Sequence, residues 1–541
     1  AYYMKRFSFV IVCVLGLIYR CLYSLQGVDN VDVGFCNTFY DVIFDYPESN
    51  AFNFIYYLTG LVGGTWEHYL GQYGLVGFRF FDIAILFAAL MILYRLFSSS
   101  VSSNLLNYAL AVSITFPTIF ITFHYNTLSF LLISIAAFFF FKWAKDDKIS
   151  LLVVSGLFIG LSFAARIVNL SLITLSIIPF FIGKRNGNTR NGIKAALCFF
   201  YGIITGLAII LVIMLTLGHT SYYLQALSEA FGFFNSTEAT HSRGELIVRY
   251  ANSLKNVFLQ MVILSVWIWG YMSTSRMKNG GKYPRILLLL VLIVIGYTSL
   301  PYLTALSLCL ISIIYYFIKG KDKHIENVGI VSFLTLTTLL YPIGSDIGLP
   351  GIFHWCAGLL VFPAIFAVSG NKNLLSPKDI AALCICIIIS GIAKTTINVY
   401  GAKGTRMDCT TRINDSRINV FTDYEKAEMY SHSINVINNC KSNNYMVLGN
   451  QFSELYFATK TLPFLGHTQT VIYQGKALEK RLDNKLAQFG EYPLVVFING
   501  SKPYDYEVRN KVILRKWMRK HGYKLASNDK YITIFKHPDS H

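Results

Sequence analysis

Charge is scarce in this chain. Only 14% of its 541 residues are Asp, Glu, Lys or Arg, while 54% are apolar and the mean hydropathy is +0.48. A soluble domain typically carries about one quarter charged residues, so a single soluble globule is excluded. The polar tail from Asn398 also lacks a Gly-rich phosphate loop, a nucleophile elbow and any His/Cys cluster at metal-ligand spacing. The sequence therefore neither indicates nor excludes a divalent metal. No internal repeat with paired broken helices appears, which argues against a transporter. Ten cysteines are present, but eight lie in or near apolar runs, where a thiol behaves as a small hydrophobe. Only Cys409 and Cys440 share the polar tail, where a disulfide is chemically permitted.

What is present is a succession of long apolar runs. Taking about 20 apolar residues per span, the chain reads as thirteen membrane spans at 5–25, 75–96, 105–123, 127–142, 150–166, 169–183, 195–217, 253–274, 286–300, 302–318, 326–342, 351–369 and 379–397. The first carries Arg20 in its C-terminal half and has no small-residue cleavage site after Leu25, so it reads as a retained anchor rather than a signal peptide. Basic residues divide unevenly between the two sets of connections. Clusters such as Lys142/Lys145/Lys148 and Lys184/Arg185/Arg190/Lys194 fall on one side, whereas the other holds only Arg20, Arg79, Arg166, Arg243, Arg249, Lys255 and Lys394. The positive-inside rule then places the N-terminus in the cytoplasm and the tail from Asn398 outside. An outer tail argues against nucleic acid as partner, despite the formal net charge of +18.

Residues 4–397 thus form a membrane module and 398–541 a separate outer region. The tail alternates amphipathic and strand-like runs: a helix over 423–439, strands at 445–449, 470–474, 493–500 and 531–535, and a helix from about Tyr504 to His521. That alternation predicts a small α/β domain.

Chemistry is expected where polar groups meet the outer ends of the spans. The first outer loop, 26–73, holds Asp29, Asp32, Asp41, Asp45 and Glu48, followed by aromatic-rich segments that read as helices lying in the interface. A second outer loop, 218–252, contains His241, Arg243 and Arg249 and has the length and aromatic content of a cover. Arg20, Arg79 and Arg166 stand within or at the outer edges of spans, where an ionisable group is a functional candidate. The alternatives are snorkelling to the interface or, for Arg79, a local pair with Asp82. His124 lies at an outer turn, and Asp346 lies in a Gly/Pro-rich outer turn of the kind that lines cavities at membrane depth.

One span, a long acidic outer loop, many further spans and a terminal outer α/β region together resemble the GT-C glycosyltransferases that use polyprenyl-phosphate-linked sugars, such as the protein O-mannosyltransferases and the lipid A aminoarabinose transferase. Asp32-Val33-Gly34-Phe35 resembles the Asp-Glu-Gly-Phe of some bacterial relatives, with Val33 in place of the second acid. The stretches 124–128, 156–169 and 342–351 also look like recurring features of that family. The resemblance implies a multi-pass protein of a bacterial cytoplasmic membrane, surrounded by membrane lipids. It further implies a polyprenyl-phosphate-linked sugar donor, a glycan, lipid or protein acceptor, and a loop carboxylate acting as general base with inversion. Asp32 is the first choice for that base and Asp29 the reserve. Arg20, Arg79, His124, Arg166, His241, Arg243 and Asp346 are the candidates for holding donor or sugar. A surface-polysaccharide polymerase or ligase shares this layout, but usually places its large polar segment between spans rather than at the end.

Overall fold

A computed structural model describes residues 2–116, 122–235, 243–275, 281–298, 301–320, 324–345, 347–370, 375–442, 444–473, 475–500 and 504–539. The chain is mostly helical, with a small sheet region at its C-terminal end. It opens with α1 (Tyr2–Ser24), a turn, α2 (Asp32–Val42), a 3-10 segment (Pro47–Tyr56) and α3 (Tyr57–Leu70). The membrane-type helices follow as α4 (Gly74–Phe97), α5 (Ser103–Thr115), α6 (Tyr125–Asp146), α7 (Ile149–Ala165), α8 (Ile177–Asn186) and α9 (Thr189–Thr216). After these come α10 (Thr220–Asn235), α11 (Arg243–Ser275), α12 (Lys282–Thr298), α13 (Pro301–Lys319), α14 (Ile325–Leu340), α15 (Ile352–Trp355), α16 (Gly358–Ser369) and α17 (Pro377–Ile397).

Among the described residues, seven helical segments are long and apolar enough to cross a membrane, and four shorter apolar helices accompany them. The protein is thus a polytopic helical membrane protein. The helices of the first loop do not stand apart from the next span. They run on through a 3-10 turn (Gly71–Tyr73) into α4, and the bend falls at Gly74, whose φ of +52° only glycine adopts without strain. The stretch at 169–183 is likewise divided, into a 3-10 segment (Ile167–Ser176) and α8.

Bilayer helices gain little from apolar burial against one another, so close backbone approach matters more. The pair α7 and α9 shows how it is achieved. Gly156 and Gly160 on one helix face Gly202 and Gly206 on the other, and a Cβ at Gly156 would lie 2.0 Å from the Phe199 carbonyl oxygen. The Gly-x-x-x-Gly spacing within 156–169 is therefore a packing feature, and it fixes the end of α7 where Arg166 sits.

Beyond α17 come the short antiparallel pair β1 (Thr411–Arg412) and β2 (Phe421–Thr422), then α18 (Tyr424–Cys440), β3 (Tyr445–Leu448), α19 (Glu454–Thr459), β4 (Leu462–Pro463), α20 (Lys476–Phe489), β5 (Leu494–Ile498), α21 (Asp505–Lys520), β6 (Lys524–Asn528) and β7 (Ile532–Lys536). The five-stranded sheet has the order β4-β3-β5-β7-β6, with β4, β3 and β5 parallel and β7 antiparallel to β5. β5 is buried along its whole length, as its unbroken Leu-Val-Val-Phe-Ile run demands of a central strand. The expected strand at 470–474 is instead a single 3-10 turn (Thr470–Ile472). Asn510 explains the change, since its side-chain amide donates to the carbonyls of Thr470 and Tyr473 and holds them away from the sheet. Cys409 and Cys440 are free thiols.

One face of the sheet is covered by Leu478, Leu482, Leu514 and Trp517 from α20 and α21. The other face shares a single apolar cluster with the first loop and the helix ends: Val33, Phe39, Phe54 and Phe78 pack with Tyr430, Leu448, Phe457 and Ile534. Loop and tail therefore sit on the same end of the bundle. Polar pinning reinforces this. Gly27 N–H donates to the Phe421 carbonyl, and Arg417 grips Asp41 in two-pronged fashion at 2.9 and 3.1 Å while also reaching Glu67 at 2.5 Å.

Candidate functional site

The first loop owes its shape to Asp29. One oxygen of its buried carboxylate accepts the backbone N–H groups of Val31, Asp32 and Val33, the last at 2.9 Å. These are the orphan donors of the α2 N-terminus, and an anion there also complements the helix dipole. Asp29 is thereby engaged as a cap. Asp32 is the first residue of the helix so capped, and it is half-buried rather than enclosed. Two carboxylates three residues apart thus occupy different environments, which spacing alone did not distinguish.

Asp32 shares its surroundings with two tyrosines that sequence reasoning missed. Tyr56, from the end of the 3-10 segment, and Tyr125, from the first turn of α6, stack with ring centroids 4.2 Å apart and planes 14° apart. The charge of Asp32 acts on both rings, and so does that of Arg166. Arg166 is the residue at which α7 ends in extended backbone, and it is only 6% exposed. Its Nη1 donates to the Tyr341 carbonyl at 2.6 Å, and its guanidinium lies 4.7 Å from the centre of the Tyr341 ring. Among the described residues, Arg166 Nε and Nη2 donate to no acceptor and no carboxylate pairs with the group. A buried guanidinium without a counter-charge is costly unless something anionic answers it.

The 124–128 stretch frames the same region. His124 is buried, its Nδ1 lies 2.7 Å from Thr127 Oγ1 and 3.7 Å from Asp82 Oδ1, and Thr127 donates to Asp82 at 2.5 Å. Asp82 therefore pairs with α6 and not with Arg79. Asn126 accepts from the Tyr341 hydroxyl at 2.6 Å, which holds the residue whose carbonyl Arg166 uses. Trp355 and His124 pack edge to face, with centroids 5.9 Å apart. From the tail, His467 closes the aromatic wall against Phe52 and Phe35. Burial holds its imidazole neutral, pushed down to about 4.

The remaining candidates are placed differently. Arg79 is buried, with Nη1 on the Ser24 carbonyl at 2.5 Å and Nη2 on the Gly27 carbonyl at 2.8 Å, bracing the end of α1 against α4. Arg20 donates to the Phe116 carbonyl at 3.2 Å. Arg249 pairs with Glu245 one turn away at 2.6 Å. Arg243 opens α11, whose Ser253 and Tyr250 bond the turns around 339–349: Ser253 Oγ accepts the Leu349 N–H and Tyr250 donates to the Leu339 carbonyl. His241 and Asp346 lie outside the described residues. Among the described residues, no group of three or more His, Cys, Asp or Glu side chains converges as a metal site.

The structure thus gathers Asp32, Tyr56, Tyr125, His124, Arg166 and Tyr341 from five separate parts of the chain. They form a site with a half-buried carboxylate, an aromatic wall and a guanidinium that, among the described residues, has donors to spare. No protein-family model matches the chain, and no curated protein matches it.

Proposed function

We propose that the chain is a membrane glycosyltransferase that moves a sugar from a polyprenyl-phosphate-linked donor to an acceptor hydroxyl, with inversion, at the periplasmic face of a bacterial cytoplasmic membrane. The observation that carries this reading is the convergence on the Tyr56–Tyr125 stack of one carboxylate, Asp32, and one buried guanidinium, Arg166, whose Nε and Nη2 meet no acceptor among the described residues. A hydroxyl is a weak nucleophile near neutral pH, and a positioned carboxylate is typically worth about 10²- to 10⁴-fold in rate. In this scheme Asp32 takes the proton as the acceptor oxygen bonds to the anomeric carbon. The bond from that carbon to the phosphate oxygen breaks, and its electron pair leaves with the lipid phosphate. A single displacement inverts the anomeric centre. Arg166 offers its planar donors to the leaving phosphate, and the tyrosines supply apolar faces against which a sugar ring can lie.

The orientation rests on the distribution of lysine and arginine between connections. The experiment is to supply purified protein in lipid nanodiscs with a panel of polyprenyl-phosphate sugars and an acceptor mixture, measuring free polyprenyl phosphate. Release by the wild type and its loss in Asp32→Asn support the reading. If intact donor is merely moved between leaflets of sealed vesicles, the protein is a carrier.

A further inference from the structure

Loop and tail meet backbone to backbone at Gly34. A Cβ on Gly34, near the start of α2, would lie 2.1 Å from the Glu454 nitrogen at the start of α19. Two helix N-termini therefore meet nearly in contact, and only glycine permits it. Glu454 projects into this junction with no exposed surface, and neither of its carboxyl oxygens has a hydrogen-bond partner among the described residues. A buried carboxyl lacking both bonds is rare in a folded protein and calls for an explanation.

We propose that Glu454 is a positioning residue: its carboxyl, held in the junction beside Asp29, sets where the α2 N-terminus and hence the Asp32 carboxylate sit. The inference rests on the reading of Asp32 as general base. The groups facing Glu454 are Asp29 from the loop, Cys36 from α2, Arg79 from α4, Asp415 and Arg417 from the segment before α18, and Lys426 and Tyr430 from α18 itself. Much of the positive charge is already committed. Arg417 is shared between Asp41 and Glu67, and Arg79 donates to two backbone carbonyls. Lys426 donates to the Val28 carbonyl at 2.8 Å and is itself pushed down to about 8 by burial. Burial, and next the Asp29 charge, push the Glu454 carboxyl up to about 8, so it is a neutral acid at neutral pH. In that form it leaves the Asp29 carboxylate free to cap α2. Once ionised, it sets a second negative charge beside Asp29, with no hydrogen bond among the described residues to hold the Glu454 oxygens, and the cap and Asp32 shift together.

Two readouts on the purified full chain test this, and the first needs no turnover. The folded protein holds a proton that the unfolded chain releases above the ordinary value of 4.5, so thermal stability falls as pH rises from about 4.5 to about 8 and levels off beyond. Glu454→Gln, a neutral isostere, should remove that fall, so that its melting temperature exceeds wild type increasingly across the window. Parallel curves, or failure of Glu454→Gln to fold, overturn the proposal. The second readout is polyprenyl phosphate release. Wild-type turnover should drop about tenfold per pH unit above about 8, and Glu454→Gln should retain the acid-side rate while losing the drop. A variant profile shaped like wild type overturns the positioning role. If no lipid-linked sugar is turned over, the functional reading falls, and the melting comparison alone decides whether Glu454 controls the junction.

Discussion

Arg166→Ala is the substitution on which the phosphate-binding reading turns. Arg166 spends one nitrogen on the Tyr341 carbonyl, and among the described residues Nε and Nη2 meet no acceptor and stand ready for a ligand. A hydrogen bond to a charged group contributes about 1.5–3 kcal/mol, so two of them bound the loss of donor affinity at about 3–6 kcal/mol. At about 1.4 kcal/mol per tenfold, losing even one corresponds to roughly 10- to 100-fold weaker donor binding. The structural cost is separate: one carbonyl loses its donor and one ring loses its cation, about 1–3 kcal/mol of stability. Arg166→Lys separates the two effects. It keeps a charge near the ring but not the planar fork, so affinity should recover only in part. The assay is displacement of a labelled polyprenyl phosphate in nanodiscs, with the melting temperature of each variant recorded alongside. At 6% exposure the site is poorly screened, so the loss should persist at high salt. Wild-type affinity in a folded Arg166→Ala protein would refute the assignment, and full rescue by Lys would reduce Arg166 to a snorkelling residue.

Arg79→Ala should behave in the opposite way: two buried carbonyls lose their donor, costing roughly 2–5 kcal/mol of stability, while donor affinity per folded molecule stays unchanged. Thermal melting beside the displacement assay reads both, and Arg79→Lys should not restore the brace. Asp32→Asn should lower turnover at least about 10²-fold with folding intact, whereas Asp29→Ala should cost about 1–2 kcal/mol of stability through the lost cap; normal turnover in Asp32→Asn with an inactive Asp29→Asn would move the base to Asp29. For orientation, an impermeant thiol reagent applied to intact cells should label Lys480→Cys on α20 and spare Lys148→Cys between α6 and α7, both exposed in the fold; the reverse pattern would turn the site toward the cytoplasm.

The membrane character, the acidic first loop and the small α/β tail were legible because they rest on local signals: run length, charge sorting and period-two alternation. β5 announces itself as an unbroken apolar run. The strand expected at 470–474 does not form because the decisive partner, Asn510, lies 40 residues away in α21. The roles of the arginines were illegible for the same reason. Arg79 and Arg166 look alike as isolated cations at span edges, and only tertiary approach assigns one to two backbone carbonyls and the other, among the described residues, to a single carbonyl.

Tyr56, Tyr125 and Glu454 went unnoticed because a tyrosine in an aromatic-rich loop and a glutamate in an amphipathic tail are unremarkable in composition. What marks the place is an absence of side chain. Gly34 follows Asp32 by two residues, and its missing Cβ is what lets α19 bring Glu454 against the turn built by Asp29. The Asp-Val-Gly-Phe stretch thus combines a carboxylate at a capped helix start with a glycine that admits the tail. Through that glycine the tail is part of the support of Asp32. A larger residue at position 34 would separate the two helix starts and displace Asp32 without touching it, so the tail and the first loop are best treated as one structural unit around that carboxylate.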